Sequence, residues 1–243
     1  MTRHMGGVRL QGANISSAQF PAATDLSNCD LRDCVMDGAD IGGVTLEGAR
    51  LNGASLVGAN LTDVEAAAAD FRGCNLSQVD LRAAILGGAD FRSAKLTQAN
   101  LRGTDLGCCH GDEERREKHL SGPYASSSSV ACLSGADLTG ADLQQAHLGT
   151  VDLSFANLTR AILGDDDNMT TDLSGANLHG ANLTRAKFRG GLFPKFGGGL
   201  FRYKSYLSGA NFTNANWADA LDVNLDILLT SGAIGIGTGS PNA

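Results

Sequence analysis

The sequence predicts an all-β chain wound into a tube of short stacked strands. A large apolar residue recurs at every fifth position, a small residue stands two places before it, and Asp, Asn and Gly mark the positions around it. Leu133, Leu138, Leu143, Leu148, Leu153 and Leu158 show the period most cleanly. A helix returns to one face every 3.6 residues and a strand every 2, so a strict period of five suits neither.

With the large residue called i, the frame holds at Leu10, Ile15 and Phe20. After a one-residue slip it runs from Leu26 to Leu106, resumes from Leu133 to Leu163 and from Leu173 to Phe188, and ends at Leu207, Phe212 and Trp217. Position i−2 is mostly Ala, as at Ala39, Ala99, Ala141 and Ala181, with Cys29, Cys34, Cys74 or Val79 as substitutes. Two residues that are two apart point the same way on an extended segment, so each unit is a brief strand followed by a corner. At i−1, Asp or Asn (Asp30, Asn60, Asp90, Asn182) can bond to the backbone where the chain turns. Gly at i+2 (Gly48, Gly73, Gly140, Gly180) relieves the steric limits of the corner. Coils stacked about 4.8 Å apart pair each strand with its neighbours above and below and turn the leucines inward.

The motif A(D/N)LxG, written here as GADLTGADL, GANLHGANLTRA and GANFTNANWADA, resembles the pentapeptide-repeat family over most of residues 8–217. That resemblance implies a right-handed quadrilateral β-helix. Its hand and square section come from the family, and four units per coil give roughly nine coils. We expect residues 1–7 as a tail, the β-helix over 8–217 interrupted by loops 107–132 and 190–206, and a short capping helix with a disordered tail over 218–243. The helix rests on the near-helical spacing of Ala220, Leu221, Leu225, Leu228 and Leu229.

Hydrophobic residues make up 42% of the chain but aromatics only 5%, so the core must be narrow and built from small side chains. The formal charge of −7, from 26 acidic and 19 basic residues, argues against a general nucleic-acid backbone binder. The start, MTRHMGGVRLQG, has no apolar run of a signal peptide, and no stretch approaches the roughly 18 to 20 apolar residues that span a bilayer. A cytoplasmic protein without membrane contact is expected. Its cysteines, at 29, 34, 74, 108, 109 and 132, do not form the framework of a small secreted domain.

The first break, Gly107 to Cys132, holds a dense charge run and a serine tract, and reads as a loop leaving the wall. The second, Gly190 to Tyr206, concentrates Phe193, Lys195, Phe196, Phe201, Arg202, Tyr203 and Lys204 on an otherwise aromatic-poor chain. Aromatics and Arg are what interface hot spots use, and these seven residues are the candidate partner-binding site. Rings interleaved with positive charge could also stack on single-stranded nucleic acid, or fold back on the tube wall. In GDDDNMTT, Gly164 to Thr171, the phase survives, which leaves Asn168 at an imperfect i position; its oxygen ligands are too irregular for calcium.

Little chemistry is written elsewhere. Cys29, Cys34 and Cys74 fall at i−2, where a thiol is a small buried hydrophobe. Cys108 or Cys109 could staple the first loop to Cys132, and Cys109, His110, His119 and Cys132 match no common zinc spacing. His147 and His179 face outward. No nucleophile motif or P-loop appears, and a tube filled to its axis offers no cavity in which to desolvate a substrate. No enzyme, cofactor or metal is expected.

What remains is the outside. Asp30, Asp70 and Asp90 form one file beside Arg32, Arg72 and Arg92, an ion-pair ladder. The expected function is a scaffold or regulator that binds a protein partner through its faces and the aromatic-basic loop. The alternative, which the family resemblance implies, is a DNA mimic that binds DNA gyrase or topoisomerase and protects it from inhibitors. Nine coils span about 42 Å, a length of duplex that carries about 25 phosphates, against which a net charge of −7 is small. Open coil edges need a cap or a partner, so an end-to-end homodimer is a further expectation.

Overall fold

The structure, a computed structural model, describes residues 3–106, 131–164, 171, 173–188, 210–217 and 220. One named pair of strands, β1 (Arg3–His4) and β2 (Thr24–Asp25), runs parallel. Pairing therefore begins within residues 1–7. Beyond it, single-residue parallel bridges link each i−1 residue to its counterpart one coil on. One ladder climbs through Arg9, Asp30, Arg50, Asp70, Asp90, Cys132, Asp152, Asn177 and Asn211. Three more run from Asn14 to Asn216, from Gln19 to Lys187 and from His4 to His147. Four ladders taken in turn every five residues make a four-walled β-helix solenoid.

Each corner is closed by local chemistry. The amide of Cys29 donates to the Leu26 carbonyl at 3.2 Å, and the same bond recurs from Ala39 to Met36 and from Ala54 to Leu51. Positive φ falls on the third residue of each four, as a type II turn requires. The Asx side chain at i−1 braces the corner by accepting from the amide two residues on, as Asp25 does from Ser27 at 2.9 Å and Asp90 from Arg92 at 3.0 Å.

The shaft is filled from all four walls. Leu76, Leu143, Leu183, Ala39 and Ala141 are fully buried, and Cys29, Cys34 and Cys74 sit among them. Phe71 and Phe91, one coil apart, stack with centroids 4.8 Å apart and planes 3° from parallel. Trp217 closes the last described coil against Phe212 at 4.9 Å and Phe188 at 5.6 Å.

The register records every departure from twenty residues per coil. The first coil takes 21, from Arg9 to Asp30, because of the slip at Pro21–Ala23. Across the first break Asp90 pairs with Cys132, 42 residues on, and the Ala131 amide donates to the Leu106 carbonyl at 2.9 Å. That bond closes an ordinary corner elsewhere, so the inserted segment leaves the tube at a corner. Ala131 and Cys132, which the sequence reading assigned to the loop, are wall residues: Ala131 is a small i−2 side chain, fully buried, and Cys132 is a rung. Asp152 pairs with Asn177, 25 residues on, so the phase survives there through one extra unit of five. Asn168 itself lies outside the described residues, as do loops 107–130 and 190–206 and all of 218–243 except Ala220.

An amide ladder stiffens the wall from Asn14 to Asn216. Asn182 Nδ2 donates to Thr159 Oγ1 at 3.0 Å and Asn157 Oδ1 at 3.3 Å. Its Oδ1 accepts from the Thr184 amide and hydroxyl and from Asn216 Nδ2. Asn182→Ala is expected to cost about 1–2 kcal/mol, read from urea denaturation, because it strands several partners at once. A cost within a few tenths of a kcal/mol would show the ladder to be decoration.

Candidate interaction surface

A filled shaft leaves the outward positions, and these divide along the axis. On the Asp30 wall, Arg32 forks onto Asp30 at 2.7 Å through both Nε and Nη2, and Arg72 onto Asp70 at 2.8 and 2.7 Å. Arg92 pairs with Asp90 and Arg82 with Asp80 in the same way. Arg50 and Arg72 also reach across coils, to Asp30 at 3.8 Å and Asp90 at 3.7 Å. The file of carboxylates read from the sequence is thus neutralised rung by rung.

These pairs set a pH dependence. The hydrogen bonds from Arg32 hold the Asp30 carboxyl at about 2, and those of Arg72 and Arg82 lower Asp70 and Asp80. The unfolded chain, with Asp near 3.9, binds more protons as pH falls. Stability from the pairs is therefore complete above about pH 4 and is lost as pH drops through the folded values, near 2 for Asp30. The urea midpoint is expected to fall below pH 4, and less steeply in Arg72→Gln. Parallel curves for the two proteins would remove this pair from the account.

Beyond Asp152 the character changes. The described residues there carry Arg160, Arg185 and Lys187 and no carboxylate. By sequence, Leu173 to Trp217 adds Arg189, Lys195, Arg202 and Lys204, again without Asp or Glu. On this half stands Phe155, 64% exposed, which with Met5 makes up the exposed large apolar side chains among the described residues. Its φ of 57° is left-handed, a cost for a bulky residue. The ring lies over Gly180, where an added Cβ would approach it to 2.7 Å, and meets His179 edge-on at 5.3 Å. Sequence reasoning missed Phe155, although a phenylalanine at i+2, where Gly is usual, is a readable signal.

The sequence-derived candidates Phe193, Lys195, Phe196, Phe201, Arg202, Tyr203 and Lys204 all lie outside the described residues. Cys132 is a free thiol, and Cys108 and Cys109, the candidate partners of a staple, lie outside the described residues. His147 and His179 take outward positions, as the spacing predicted. Among the described residues no group of three or more His, Cys, Asp or Glu could hold a metal ion, and no helix is long and apolar enough to cross a membrane.

Eight copies of the pentapeptide repeat match the chain, over residues 22–53, 39–78, 74–107, 131–165 and 170–190. The chain belongs to the pentapeptide-repeat family. No curated protein matches it. Three solved structures of pentapeptide-repeat form are similar to it. A protein of the Arabidopsis thaliana thylakoid lumen is 25% identical, covering 50% of this chain and 86% of its own, with a TM-score of 0.40. HetL, involved in heterocyst differentiation regulation in the cyanobacterium Nostoc, is 28% identical over 96% of this repeat chain and 87% of its own, at 0.29. QnrB1, a plasmid-mediated fluoroquinolone resistance protein, is 18% identical over 95% and 90%, at 0.42. Scores this low do not superpose one tube on another, so membership rests on the repeat itself.

Proposed function

We propose that this pentapeptide-repeat protein is a non-enzymatic scaffold or regulator that binds a protein partner through its outer faces and its aromatic-basic segment. The observation that carries the reading is the filled shaft. Among the described residues the inward side chains from Leu26 to Ala186 are buried, with Phe188 and Ala215 partly so, and only the exterior is left to meet another molecule. The family is in general one of structural or interaction proteins. Phe155, strained and exposed beyond Asp152, where the described residues carry no carboxylate, adds a described anchor to Phe193, Lys195, Phe196, Phe201, Arg202, Tyr203 and Lys204. Six Lys and Arg between Leu173 and Trp217 suit a partner with an acidic face. With this reading go a cytoplasmic location, a right-handed tube of about nine coils with a C-terminal capping helix, and end-to-end pairing of two copies. Pull-down with wild type and a Phe193, Phe201 and Tyr203 triple-alanine variant tests it. Partner recovery is expected to fall at least about tenfold if two of the rings are hot spots. Equal recovery from both proteins removes the segment from the reading.

A second reading, a DNA mimic that binds DNA gyrase or topoisomerase and protects it, is favoured by the rod-like stack of parallel rungs interrupted at a corner. The charge runs against it, because Asp30, Asp70, Asp80 and Asp90 each hold an arginine. A gyrase supercoiling assay with and without a quinolone separates the two. Neither inhibition nor protection would dismiss the mimic.

A further inference from the structure

The first coil, residues 5–20, is held differently from the coils behind it. Among the described residues nothing stacks on its outer edge. Its inward side chains Val8, Leu10, Ala13, Ile15 and Phe20 are only partly buried, and Met5 is 37% exposed. One coil further in, Leu31, Met36 and Ile41 are each 1% exposed. Among the described residues its backbone pairs on one side only. The amides of Leu10, Ile15 and Phe20 donate to the carbonyls of Asp30, Val35 and Asp40, and the carbonyls of Val8, Ala13 and Ala18 accept from the same three residues. An interior coil makes this set twice. The link to the second coil also carries one extra residue, and non-glycine residues hold positive φ at Ser17, 56°, and Ala23, 62°.

Directly beneath lie two thiols. Cys29 and Cys34 are fully buried in the second coil, and each Sγ donates to a carbonyl of the first, Met5 at 3.2 Å and Leu10 at 2.8 Å. The first coil is thus their outer cover. Cys74 makes the same bond, to the Leu51 carbonyl at 3.0 Å, but beneath three coils rather than one.

We propose that residues 5–20 open as a unit at lower free energy than the coils behind them, and that this opening turns Cys29 and Cys34 into a paired modification site for small thiol-reactive electrophiles. A solenoid permits it, since each coil touches only its neighbours and an end coil can leave without unravelling the rest. Closed, burial pushes both thiols up and keeps them inert. Open, they are ordinary cysteines a few residues apart, on the fresh parallel edge of the second coil.

The test is maleimide labelling of the full chain without denaturant, read peptide by peptide. The thiolate adds across the maleimide double bond and the adjacent ring carbon takes a proton from water, so no oxidant is needed. Cys29 and Cys34 are expected to react at one shared rate, at least about tenfold faster than Cys74, because sub-global opening outruns global unfolding. Ile15→Ala should speed the pair by about tenfold or more, whereas Phe91→Ala, whose site stays folded when the first coil opens, should speed Cys74 and leave the pair unchanged. Ser17→Gly, which relieves a left-handed serine in the same coil, should slow the pair by about two- to fivefold. The proposal is overturned if Cys29 and Cys34 react no faster than Cys74, or if Phe91→Ala speeds all three cysteines together.

Discussion

Replacing Phe91 by alanine is expected to lower the unfolding free energy by about 3–5 kcal/mol, measured by urea denaturation followed by circular dichroism. The ring is fully buried and stacked on Phe71 at 4.8 Å, so truncation loses its transfer energy, its partner's face and the packing of the surrounding cavity. The walls cannot close the gap, because the bridges at Asp70, Asp90 and Cys132 fix the spacing of the coils on that side. Phe91→Leu should cost less than about 1.5 kcal/mol, since leucine fills the same file at Leu51, Leu133 and Leu153. If the alanine variant lost under about 1 kcal/mol, the shaft would be looser than its geometry implies.

That file was legible because the sequence repeats one physical problem many times. A large residue at i and a small one at i−2 must share the shaft at every step, and the period of five survives substitutions as different as Met36, Ala66 and Phe71. The Asx brace was legible for the same reason, as Asp30, Asn60 and Asp90 each answer the same orphan amide. Other features left no periodic trace. Glycine advertises positive φ, but Asp33, Gln78, Phe155 and Arg160 adopt it too, held there by the ladder on both sides. An excess of five residues between Asp152 and Asn177 keeps the phase and so hides from any reading by period. Cys132 looked like the end of a loop because its pairing partners, Asp90 and Asp152, are separated from one another by the inserted segment. The aromatic-basic candidates were legible only as composition, since no repeat constrains where Phe193 or Tyr203 must point.

Leu143→Asp should be the most damaging single change. Leu143 is fully buried, its amide donates to Ile162 at 2.8 Å, and its carbonyl accepts the Thr171 hydroxyl at 2.5 Å. The buried hydroxyls of Thr104 and Thr171 are already spent on the Leu101 and Leu143 carbonyls, so a carboxylate must stay protonated or open the tube, at a cost of several kcal/mol. Protonation also fixes the sign of the pH dependence. An acid whose folded pKa is raised above its unfolded value binds the extra proton in the folded state, so this variant should gain stability relative to wild type as pH falls from 7 toward 5. Because coils couple only to their neighbours, the damage should divide the tube, giving a biphasic urea transition and new protease cleavage near residue 143. Ser93→Asp provides the contrast: it sits at an exposed corner with φ of 60°, where aspartate is tolerated, and should stay within about 0.5 kcal/mol of wild type. Equal behaviour of the two aspartates, one on the axis and one at a corner, would mean that the leucines do not meet in a dry shaft, and with it the argument for an exterior-only function would fall.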